Sequence, residues 1–203
     1  KKNFFNYTAT TYIYTYTESS AASYLYKRQI QLGTLKAFLH TRVPELKIDA
    51  FHFYLSVAEA IGYRLYHEIS ERSWLAESVY AALLYPERIK QAEALFRKEA
   101  STKAKLREVK FKTLTSRIKA ATDVFIHSHN WQTYGLLGFT ISLCQLTSAL
   151  YVIKRIKKKF PNLMIVIGGA LTPGIAAPGI LKSFQEIPAP RRNSPKISSS
   201  IFL

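Results

Sequence analysis

Two short apolar runs, separated by one helix-length basic segment, constrain this chain more than any other feature. The runs are LLGFTIS from Leu136 and LMIVIGG from Leu163; the segment between them, QLTSALYVIKRIKKKF, starts at Gln145. Runs this short and this continuously apolar read as buried strands, whereas the segment between them repeats its apolar residues at helical spacing. Strand, helix and strand in that order give a parallel pair joined by a crossover. The expected fold class is therefore α/β, with a Rossmann-like open parallel sheet. Ligands of such sheets lie outside the carboxyl ends of the strands. Here those ends carry Thr140 and Ser142, then Gln145 and Leu146 opening the helix, and Gly168, Gly169 and Ala170 closing the second strand. The phosphate-cradling G-x-G-x-x-G is absent from this turn.

Each of these residues has two readings. Thr140 and Ser142 can hydrogen-bond a ligand, or they can cap the helix that follows. Gln145 can offer its amide to the same ligand or to water. The glycine pair lets a ligand approach the backbone, or it makes a tight turn, and physical chemistry alone puts the turn ahead.

Upstream, IQLGTLKAFLHTRVPEL spaces Ile30, Leu32, Leu35 and Leu39 as a helix, and KIDAFHFYL alternates as a strand. Helices are predicted over about 56–71 and over Ser73–Leu84. A third, PERIKQAEALFRKEA, takes Pro86 in its first turn. A basic amphipathic helix follows near Ala104–Ala121. Together these make a helical insertion over about 56–121.

The formal charge of +16 raises the question of nucleic acid. Residues 88–120 hold 11 Lys/Arg against three Glu, and Lys154–Lys159 adds five more. Both runs sit on helix-like segments, where a solvated face is the commoner use, and nothing interleaves those charges with exposed aromatics as a base-stacking platform would need. Cys144 is the single cysteine, which excludes a disulfide framework, a cysteine zinc site and a self-contained iron–sulfur cluster. It reads as a small hydrophobe after a strand. No residue set suggests a metal site. The longest apolar run, Leu136–Leu150, is too short and polar to span a bilayer, and with no signal peptide visible the chain reads as cytoplasmic.

The ends differ from the middle. Residues 1–29 are rich in Thr and Tyr, and Ser19–Gln29 resembles the conceptual translation of a transposase adapter from sequencing libraries, departing from it only at Tyr24 and Leu25. That resemblance implies a non-native segment. From Pro188 the chain becomes a Pro/Ser-rich irregular tail. Without both ends 22 basic and 12 acidic residues remain, a net charge of +10. The expected organisation is an adapter-like segment over 1–29, a partial domain over 30–187 and a tail over 188–203.

The stretch from Ile30 to Ala170 resembles the N-terminal cobalamin (vitamin B12)-binding domain of cobalamin-dependent radical SAM enzymes, particularly the peptide-maturase C-methyltransferase type. Three pieces carry the likeness: IQLGTLKAFL; IGYRLYHEISERSWLAESVYAALLYPER with Trp74; and LLGFTISLCQLTSALYVIKRIKKKFPNLMIVIGGA. They cover roughly two thirds of the chain, and the third is the most specific. The resemblance implies cobalamin as the cofactor. It assigns Thr140, Ser142, Gln145, Leu146, Gly168, Gly169 and Ala170 to its pocket. The wider superfamily uses Asp-x-His-x-x-Gly, Ser-x-Leu and Gly-Gly. The first is absent: Asp49-Ala-Phe-His52 has the wrong spacing, and His127 and His129 have no such frame. The second is partial, with Thr140 at the Ser position and Ser142 at the Leu position, and the third is intact. The missing histidine motif argues against a His-ligated cobalt, and His52 reads as a strand or core residue.

The same resemblance implies a radical SAM domain in the same polypeptide, with Cys-x-x-x-Cys-x-x-Cys holding an iron–sulfur cluster and S-adenosylmethionine. This chain has no such motif. The sheet is accordingly expected to be incomplete, its first and last strands missing or replaced. The chain reads as a fragment without catalytic residues of its own, with no membrane partner. The alternative is a basic α/β domain that binds nucleic acid, or another nucleotide-like ligand, through Arg88–Lys119. A standalone hydrolase or transferase ranks last, because Ser142 has no nearby histidine and the five histidines make no motif.

Overall fold

The computed structural model describes residues 32–141, 144–169 and 200–202. Two compact units divide after Pro44. In the first, residues 32–42 form helix α1. The Arg42 guanidinium lies 5.3 Å from the centroid of the Phe38 ring one turn back, and Thr41 donates its hydroxyl to the Ala37 carbonyl at 2.9 Å.

The second unit is mixed α/β and mostly helical. Its elements run β1 (Lys47–Asp49), α2 (Phe53–Ile61), α3 (Tyr63–Ser70), α4 (Ser73–Leu84), a 3-10 turn at Pro86–Arg88, and α5 (Ile89–Ala100). There follow α6 (Ala104–Arg107), α7 (Phe111–His127), a 3-10 turn at Trp131–Thr133, β2 (Leu136–Thr140), α8 (Leu146–Lys159), β3 (Met164–Gly168) and β4 (Ser200–Phe202). The strands form one parallel sheet in the order β1-β4-β2-β3.

The predicted strand–helix–strand is present, with β2 and β3 paired from Leu136↔Met164 to Thr140↔Gly168. Burial alternates as a pleated strand requires: Leu137 and Ile165 are buried, while Val166 is 50% exposed. The continuous apolar run is therefore less deeply covered than a strand buried on both faces. Helix α8 answers its own pattern, with Leu150, Ile153 and Ile156 turned inward and Lys157–Lys159 in its last turn, where cations complement the helix dipole.

Four expectations need correction, the first being that the basic helix read near Ala104–Ala121 is two, α6 and α7, with α7 running on to His127. The strand read from Lys47 stops at Asp49, and Phe53 opens α2 instead. Aromatic packing takes that segment over: Phe53 lies 4.9 Å from Phe125, and Phe51 lies 4.4 Å from the His129 ring. The helix read over 56–71 is two helices broken at Gly62, whose φ of +93° ends one and starts the next. The tail read as irregular supplies Ser200–Phe202 as β4, between β1 and β2, so the sheet has a strand that composition gave no sign of.

Two apolar clusters hold this unit together. One joins the sheet to α7 and α8 around Trp131, Leu137, Ile153 and Ile165. The other fills the space between the helices of the insertion, around Leu75, Phe96, Leu106 and Phe111. Buried hydroxyls there are satisfied locally: Ser78 donates to the Leu75 carbonyl at 2.8 Å and Thr122 to that of Ile118 at 2.8 Å.

Candidate functional site

Parallel pairing brings the carboxyl ends of β2 and β3 side by side, and Thr140 faces Gly168 there in register. The next residue ties the two strands together, as the Ile141 amide donates to the Gly168 carbonyl at 2.7 Å. Thr140 is exposed. Among the described residues, a methyl group built on Gly168 would meet nothing within 4 Å, so bare backbone borders open space at that point.

Gly169 differs sharply from its neighbour. Its φ is +106°, and a Cβ there would stand 2.3 Å from the Ile141 carbonyl oxygen and 2.7 Å from the Ile141 nitrogen. The close approach this glycine permits is one by the chain itself, which answers the turn reading for Gly169 but not for Gly168.

Helix α8 begins beside these strand tips, and its first amides are taken. Glu77 of α4 accepts from the Leu146 amide at 3.0 Å with one carboxylate oxygen and from the Thr147 amide at 3.0 Å with the other. The Thr147 hydroxyl returns a bond to the Glu77 carbonyl at 3.1 Å. A carboxylate from a distant helix thus caps α8. Gln145 stands at the N-cap position and makes no side-chain cap bond there. Its carbonyl accepts from the Ala149 amide at 3.0 Å and from the Ser148 hydroxyl at 3.0 Å.

A groove of 530 Å³ opens next to this cap, walled by α4, the start of α5 and the first residues of α8. Leu146 lines it, as do Trp74 and Cys144. Cys144 has a φ of +71°, and its thiol donates to the Ser73 hydroxyl at 3.0 Å.

Trp131 is buried and donates its indole N–H to the Ile126 carbonyl at 2.6 Å. Tyr134 donates to the Asp49 carboxylate at 2.8 Å, and desolvation with that bond pushes its phenol pKa up to about 12. Burial lowers the pKa of His52, which sits at the N-cap of α2. His52 is thus partly buried beside α2 rather than in a strand or the core.

Of the sequence-predicted site residues, Thr140 and Gly168 come together, Gln145 and Leu146 open the adjacent helix, and Gly169 is committed to the turn. Ser142 and Ala170 lie outside the described residues. Glu77 was not legible as a site residue, since its partners lie about 70 positions away and no local motif marks them. Among the described residues no group of three His, Cys, Asp or Glu side chains could hold a metal ion. No helix among them is long and apolar enough to cross a membrane.

No protein-family model, curated protein or solved structure matches the chain.

Proposed function

We propose that this chain is a cobalamin-binding module whose strand tips hold the cofactor for a radical SAM methyltransferase domain. The observation that carries the proposal is the pairing of Thr140 with Gly168 at one sheet edge, a hydroxyl beside backbone with room where a side chain would stand. A corrin ring is broad and fringed with amides. It needs hydrogen-bonding groups and an unobstructed main chain rather than a charged pocket. Thr140 would hold a peripheral amide, and Gly168 would let the cofactor lie against the strand. Bound cobalamin would supply methyl-group transfer chemistry; this chain's own part is to bind and orient.

The fit has a boundary. Glu77 occupies the first amides of α8, so a nucleotide-tail phosphate cannot be received at that helix end. The side of Gly169 on which a Cβ would stand is filled by the Ile141 main chain, so a ligand finds no approach from that side. The site is therefore narrower than the seven residues implied by resemblance, and centres on Thr140 and Gly168.

Nucleic acid draws less support. Several cations of the basic runs have partners within the chain: Arg97 donates to the Val109 carbonyl at 2.8 Å, and Lys103 bonds to Glu68 and, at 3.4 Å, to Glu71. Arg155 pairs with Asp123, and Lys159 donates to His127 at 2.6 Å. Equilibrium dialysis of the full chain against hydroxocobalamin tests the proposal. Retention of about one cofactor per chain supports it, and salt-sensitive retention of DNA without cobalamin would replace it.

A further inference from the structure

The groove beside α8 has polar side chains in its walls, and most of them are already engaged. The Glu77 carboxylate caps α8, and Ser78 bonds to the Leu75 carbonyl. The Ser73 hydroxyl accepts from Cys144, and the Thr147 hydroxyl bonds to the Glu77 carbonyl. What these groups leave for a visitor is mostly apolar surface, supplied by Ala81, Ala92, Leu95 and Leu146 with the Trp74 ring at 62% exposure, and the exposed Gln91 amide. At 530 Å³ the volume falls in the range of small-molecule sites. Arg88 also lines the groove, and its guanidinium finds no hydrogen-bond or ion-pair partner among the described residues.

An apolar wall, an exposed indole and one uncommitted guanidinium are complementary to an amphipathic guest with an anionic head. We propose that this groove binds an amphipathic small molecule, with a ring-bearing apolar body against Trp74 and one carboxylate at Arg88. The capped end of α8 sets the orientation. Glu77 places a carboxylate there, so an anionic head is repelled from that end and drawn to Arg88. Trp74 contributes a flat face on which an aromatic body stacks. Thr140 and Gly168 are not among the lining residues, so this site and the strand-tip site can stand or fall separately.

Isothermal titration of the full chain with 2-naphthoate, 2-naphthylmethanol and 2-naphthylmethylamine tests the proposal. One-to-one binding is expected in the order acid, alcohol, amine. Arg88→Gln should weaken the acid by about fivefold, the ceiling for an exposed ion pair, and leave the alcohol unchanged. Trp74→Ala should weaken acid and alcohol alike. Both residues are exposed, so neither change threatens the fold. Lys158→Gln removes the same charge from an exposed site outside the groove and should change nothing. Equal binding of acid and amine, no binding of any probe, indifference to Trp74→Ala, or an equal effect of Lys158→Gln would overturn the proposal.

Discussion

Two adjacent glycines are expected to answer the same substitution in opposite ways. Alanine at Gly169 must place a methyl group 2.3 Å from the Ile141 carbonyl oxygen, 2.7 Å from its nitrogen and 2.9 Å from its carbonyl carbon. All three are main-chain atoms in the turn leaving β2, so no flexible side chain can move aside. A backbone φ of +106° adds its own penalty for any residue with a Cβ. Forced overpacking costs about 1–3 kcal/mol and a strained backbone conformation about 1–3 kcal/mol more, so Gly169→Ala should lose roughly 2–6 kcal/mol. For a domain of this size that is a fall in Tm of roughly 4–24 °C. Gly168→Ala meets nothing within 4 Å and sits in a strand, where alanine is favoured over glycine by about 0.5–1 kcal/mol. Its Tm should stay level or rise slightly. Thermal unfolding followed by circular dichroism on both variants decides the matter. A Gly169→Ala protein melting within about 2 °C of the parent would refute the packing argument.

Glu77→Ala strips two amides of their cap and should destabilise the chain by about 2–3 kcal/mol, at roughly 1 kcal/mol or more for each lost partner. Glu77→Gln, which keeps one acceptor oxygen, should lose about half of that in urea unfolding. The lowered pKa of His52 gives stability a pH dependence. Below about pH 6.5 the unfolded chain binds a proton that the folded chain resists, so stability falls as pH drops from about 6.5 towards the folded pKa and is flat above about pH 6.5. Urea midpoints measured from pH 7.5 to 5 should show this slope, and His52→Phe should reduce it.

Local pattern carried the parallel unit. The two short apolar runs and the inward stripe of Leu150, Ile153 and Ile156 are written in residue spacing alone, whereas the alternating burial along the strands, with Ile165 covered and Val166 open, is not. Pro86 marked the turn ahead of α5 for an equally local reason, its fixed φ. What the spacing could not give were the long-range decisions. Whether Phe53 continues a strand or opens a helix depends on Phe125, more than 70 residues later. The pleat-like alternation of residues 48–53 describes both outcomes equally well. Gly62 fits within a helix pattern until its positive φ is known. At the site, the glycine pair was visible, but the difference between its members depends on where Ile141 returns. Glu77 lies on a helix whose own sequence gives no hint that its carboxylate serves another helix.

The most direct test of the cofactor proposal is a visible-absorbance and dialysis titration of the full chain with hydroxocobalamin, run in parallel on Gly168→Val and Thr140→Val. Retention near one cofactor per chain, with a shifted corrin spectrum, is expected for the parent. Thr140→Val should lose about 2–12-fold in affinity, the worth of one neutral hydrogen bond, and Gly168→Val should lose affinity as well, with Tm unchanged in both, since the described space beside Gly168 is open and Thr140 is exposed. Free passage of the corrinoid, or binding indifferent to both substitutions, would contradict the assignment of Thr140 and Gly168 as a cofactor-holding edge.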